Sequence, residues 1–113
     1  MVGKNSLFLI PAKIARGANT DMPENFAGAL VPVFVAAPNY EVAARLAVTK
    51  LAEQGYEFLD IQGQITQLPA EKWTSFVDTS FPEFSDHFPT QEAVLEGMAI
   101  GIIFFGPFLS HEK

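Results

Sequence analysis

The run ALVPVFVA at residues 29–36 is followed almost at once by an amphipathic helical pattern, and this succession limits the folds open to the chain. The run is apolar and β-branched, as a strand buried on both faces requires. Asn39 can then cap a helix, because its side-chain oxygen accepts from backbone N–H groups that lack a helical partner. Tyr40, Ala43, Ala44, Ala47 and Leu51 recur at helical spacing and predict one apolar face, while Glu41, Arg45, Thr49 and Glu53 step round the other side. Gly55 supplies a left-handed C-terminal cap. Tyr56 to Ile61 alternates in character and reads as the next strand. Strand, helix and strand in such short compass predict a βαβ unit with parallel strands.

The flanking segments add less regular signals. Ser6 to Ile14 reads as a strand interrupted or ended by Pro11, which suits a sheet edge, and Pro32 counts against a fully paired centre for the 29–36 run. Residues 17–28 form a turn-rich connection. Gly63 bends the strand after the helix, and Gln64 to Leu68 continue it. Pro69 opens a short helix carrying Trp73, Phe76 and Val77 on one side. Ser80 and Glu83 have the spacing of a capping box for another short helix, with Phe81, Phe84 and Phe88 on one stripe. Thr90 caps a last helix running to Glu96 and stopped by Gly97. Ala99 to Leu109 reads as a buried strand, with Ile102, Phe104 and Phe108 on one face and Ile103 and Phe105 on the other.

The predicted order is β-β-α-β-α-α-β in a single α+β domain spanning 1–113. Its four-stranded mixed sheet contains one βαβ unit, with helices packed mainly on one face. In element order alone this is similar to a ferredoxin-like arrangement with an extra N-terminal strand and a helical insertion. At 113 residues, with 49% hydrophobic and 18% charged side chains, the chain has material for one core and is not globally disordered.

Composition excludes several function classes. The absence of cysteine removes disulfide scaffolds, thiolate zinc sites, iron–sulfur clusters and thiol nucleophiles together. A net charge of −6 argues against nucleic acid as partner, since phosphate neutralisation needs clustered Lys and Arg. The longest apolar stretch, Met98 to Leu109, is broken by Gly101, Gly106 and Pro107 and is too short to span a membrane. Pro11 and Lys13 end the early apolar run too soon for a secretory signal, so a cytoplasmic protein is expected.

No catalytic constellation emerges. Ser85, Asp86 and His87 are contiguous, and adjacent side chains diverge, which argues against a triad. Glu83 and His87, with Asp86 or Asp78, offer too few matched ligands for a metal centre, and His111 lies close to the end of the sequence. After Ala36 there is no glycine fingerprint and no P-loop lysine for phosphate. Neither cofactor nor metal is expected.

Charge is distributed unevenly. Residues 1–50 hold five basic and three acidic side chains, whereas the remainder holds two and ten. Between Trp73 and Met98 there are five acids and no Lys or Arg, interleaved with four phenylalanines. Acids around aromatics can steer a basic partner and then bury apolar area against it. The leading expectation is therefore a small acidic, noncatalytic interaction protein that binds a protein partner through Asp78, Glu83, Asp86, His87, Glu92 and Glu96, or self-associates as a homo-oligomer. The alternative is a small-molecule-binding domain or small enzyme. Its polar site would comprise Asp60, Gln62, Gln64 and Thr66 on the strand after the main helix, together with Trp73.

Overall fold

In the computed structural model the described residues are 5–15, 26–106 and 109–112. They form β1 (Ser6–Ala15), β2 (Phe26–Ala37), α1 (Tyr40–Glu53), β3 (Glu57–Ile61), β4 (Thr66–Leu68), α2 (Trp73–Ser80), α3 (Gln91–Met98), β5 (Ile103–Phe105) and β6 (Leu109–Glu112). Short 3-10 helices occupy Ala70–Lys72 and Pro82–His87. Most of the predicted 17–28 connection and the predicted facing of Phe108 lie outside the described residues.

All six strands join one sheet in which every pairing is antiparallel. The long strands β1 and β2 form its centre. β3 and β4 share the outer edge of β1, and β5 and β6 share the outer edge of β2. The expected four strands thus correspond to four sheet positions, the outer two each split into a pair. Since β1 is antiparallel to both β2 and β3, those two run in the same direction with β1 between them. The strand–helix–strand unit is therefore split, and the sheet is antiparallel where a mixed one was expected.

Two prolines explain why the outer positions are split. Pro11 was expected to end β1 or push it to an edge, yet β1 is central and runs through it. Pro11 lies directly opposite Pro32 across the central pair. The Pro11 carbonyl accepts from Gln62 N–H at 2.7 Å, and the Pro32 carbonyl accepts from Gly106 N–H at 2.7 Å. Within a strand the N–H and C=O of one residue point to the same side, so both prolines aim their missing donors outward and the β1–β2 ladder loses nothing. The outer strands break where those donors are absent: residues 62–65 arch away between β3 and β4, and β5 ends at Phe105, just before Gly106. Gly106 fits beneath the Pro32 ring because it lacks a Cβ, which would lie 2.6 Å from Pro32 Cγ.

Strand alternation then builds two cores. Phe8, Ile10, Ala12 and Ile14 of β1 join Val31, Val33 and Val35 of β2 against Ala43, Ala47 and Leu51 of α1. The Asn39 cap forms as predicted, its Oδ1 accepting from Val42 N–H at 2.9 Å, and Gly55 takes φ 86°. Tyr40 departs from the predicted apolar face: it is 58% exposed at the start of the helix. On the opposite face Leu7 and Phe34 pack against Trp73, Val77, Phe88 and Val94. The Phe34 ring lies 5.1 Å from Trp73, 5.8 Å from Phe88 and 5.0 Å from Phe104. Helices therefore cover both faces, α1 alone on one and the shorter helices on the other, rather than gathering mainly on one.

Candidate functional site

The second helical layer is assembled from segments too short to be stable alone, and long-range contacts hold it together. Trp73 Nε1 donates to the Pro89 carbonyl at 2.8 Å, which ties the start of α2 to the approach to α3. Thr74 N–H donates to Gln91 Oε1 at 3.2 Å, so a residue of α3 caps α2. Thr90 caps α3 as predicted, accepting from Ala93 N–H at 3.1 Å. Asn5 Nδ2 donates to the Met98 carbonyl at 2.8 Å and satisfies one of the last acceptors of α3. α3 runs past Glu96 to Met98 instead of stopping at Gly97, because the left-handed turn that ends it falls on Gly101, φ 72°, from which Ile102 N–H returns to the Gly97 carbonyl at 3.0 Å. Gly97 instead makes room for Ile102, since a Cβ there would lie 2.7 Å from Ile102 Cδ1.

The predicted capping box at Ser80 does not form. Phe81 occupies the N-cap position of the Pro82–His87 segment, and no side chain caps it. That segment is 3-10, in which residues three apart eclipse one another. Phe84 accordingly lies beside His87, with ring centroids 6.3 Å apart, and is 38% exposed. Phe81 and Phe88 turn inward together at 5.2 Å. The predicted single stripe of Phe81, Phe84 and Phe88 is thus divided, and an aromatic ring is left on the surface.

Asp78 on α2, Glu83, Asp86 and His87 on the 3-10 segment, and Glu92 and Glu96 on α3 are all exposed on this layer. Glu92 and Glu96, four residues apart, share one side of α3. Arg45 and Lys50 belong to α1, on the other side of the sheet. Lys13 emerges on the same sheet face as the layer but opposite Asp60, with which it pairs across strands. Asp78 also borders a cleft of 210 Å³ between α2 and the 3-10 segment, together with Ser85, Phe88 and Gln91. An aromatic recess of similar size, 220 Å³, opens between Phe84, His87 and Phe105. Helical spacing placed Phe84 on the same stripe as Phe81 and Phe88, and the 3-10 geometry is what separates it from them onto the surface.

The alternative set is not assembled into one cleft. Trp73 is 1% exposed within the second core. Gln64 opens onto the α1 side, beside Phe8 and Tyr40. Thr66 pairs with Leu9 and Asp60 with Lys13, and Asp60 Oδ1 accepts from Ile61 N–H at 2.8 Å. Asp60, Gln62, Gln64 and Thr66 are all exposed.

Among the described residues no polar or charged residue is buried, and no group of three or more Asp, Glu or His is placed to hold a metal ion. No helix among them is long and apolar enough to cross a membrane. No protein-family model, curated protein or solved structure matches the chain.

Proposed function

We propose that this protein is a noncatalytic interaction module that binds a basic protein partner through the outer surface of the α2–α3 layer. One observation carries the reading: Asp78, Glu83, Asp86, His87, Glu92 and Glu96 are exposed on helices that cover one sheet face, in the stretch 73–98, which holds no Lys or Arg and is preceded by the exposed Lys72. The half-exposed Phe84 ring between Glu83 and Asp86 gives such a surface an apolar contact, as interface cores require. Charge steers the encounter, and burial of the ring resists separation.

Replacing Glu83, Asp86, Glu92 and Glu96 together with Gln or Asn tests the reading in a pull-down from the native host. The partner is retained by the wild type at low salt, released as salt rises, and not retained by the variant. Capture that ignores both salt and substitution would refute it.

Three finer elements belong to the same proposal. A homo-oligomer is the first, to be tested by light scattering at micromolar concentration, where a lone 12.4 kDa species would remove it. Both sheet edges consist of short, split strands, which favours a helical surface over edge-to-edge pairing for such contact. A cytoplasmic location is the second, testable by fractionation. A ferredoxin-like relationship is the third, and the shared direction of β2 and β3 on either side of β1 supports it.

A further inference from the structure

On the α1 side of the sheet, away from the acidic layer, the arch over residues 62–65 leaves a groove of 580 Å³. Phe8, 6% exposed, forms its floor, and Ile61 and Ile65 line its walls. Tyr40 stands at its rim, and Gly63, Gln64 and Gln67 complete the lining. The groove follows from Pro11: without a donor at that point the outer strand cannot stay in register, and the detour opens space beside the first turn of α1.

We infer that this groove binds a small, neutral, flat ligand that carries an N–H and C=O pair, of the aromatic carboxamide type. Its volume lies within the range of about 300–1,000 Å³ typical of small-molecule sites. The exposed Tyr40 ring offers aromatic surface to a planar ring, above an apolar floor closed by the buried Phe8. Gln67 Nε2 donates to Ser6 Oγ at 3.1 Å, which orients the amide and leaves its Oε1 to accept from a ligand N–H. Gln64 is exposed beside it and can both donate and accept. No Lys, Arg, Asp, Glu or His lines the groove, so a charged ligand would lose hydration without gaining a counterion. Glu41, next to Tyr40 in the first turn of α1, further disfavours an anion at the helix N-terminus. The exposure of Tyr40 then has a role, since its ring contributes little to the α1 core.

Nicotinamide is a suitable probe, with nicotinate as its anionic counterpart, in a titration followed by two-dimensional amide NMR. Nicotinamide shifts resonances of Tyr40 and of residues 61–67 saturably, with a dissociation constant on the order of 1 mM as expected for so small a ligand. Nicotinate binds more weakly. Tyr40→Ala and Gln64→Ala, both at exposed positions, keep dispersed spectra and weaken nicotinamide by about fivefold or more, a loss of about 1 kcal/mol. Absence of saturable shifts, shifts scattered over the molecule, equal binding of nicotinate, or an unaltered titration in both variants would overturn the inference. Because the groove and the acidic layer lie on opposite sides of the sheet, either result leaves the partner-binding proposal to its own test.

Discussion

Pro32 and Gly106 are matched to each other in a way neither residue reveals alone. The proline ring occupies the space a Gly106 side chain would need, while its carbonyl holds the Gly106 N–H. Gly106→Ala should therefore cost about 1–3 kcal/mol in denaturant unfolding, as overpacking does. In a Pro32→Ala background the same change should cost less, because the closest clash is gone. Equal penalties in both backgrounds would show that the ring is not the obstacle. Trp73 is matched in the same manner to Pro89: Trp73→Phe keeps an aromatic ring but leaves the Pro89 carbonyl without its donor, at a cost of about 1–3 kcal/mol. The Asn39 cap, by contrast, was fully legible in the sequence, since a cap is a local bond between residues three apart. Asn39→Ala should lower stability by about 1 kcal/mol in the same assay. Tyr40 and Phe84 were not legible in this way. Helical spacing predicts a face for a residue, and it does not say whether another element covers that face or whether the local helix is α or 3-10.

Among the elements, α1 and the β-branched run before it follow directly from periodicity, and both appear where predicted. β1 was misread as an edge because proline is treated as a missing ladder donor. Only the partner register shows that the donor was pointing elsewhere. The two opposed prolines keep the outer strands short, and short broken edges resist pairing with other chains. A Pro11→Val, Pro32→Val double variant restores both donors and permits longer outer strands. Light scattering should show stronger concentration-dependent association than in the wild type, and unchanged association would contradict this role for the prolines. α2, α3 and the 3-10 segment were visible only as fragments. Their arrangement depends on bonds such as Thr74 N–H to Gln91 Oε1, which join residues distant in sequence.

At the scale of the whole molecule, the sheet separates two different surfaces. One side carries α1 with Arg45 and Lys50 and the groove at its first turn; the other carries the acid-rich helical layer. The charge imbalance was legible as a count; that Asp78, Glu83, Asp86, Glu92 and Glu96 are exposed follows from the packing of the helical layer. The alternative polar site was not assembled because strand alternation sets Asp60 and Thr66 on one sheet face and Gln64 on the other, while Trp73 is buried in a core. The proposed electrostatic capture by the acidic layer is tested most directly by the association rate of the captured partner at varied ionic strength. The screening length falls from about 10 Å at 0.1 M salt to about 3 Å at 1 M. Over that range the wild-type rate should drop by about tenfold or more, while the Gln/Asn variant at Glu83, Asp86, Glu92 and Glu96 starts low and changes little. Rates that are the same for both proteins, or a wild-type rate indifferent to salt, would contradict the account.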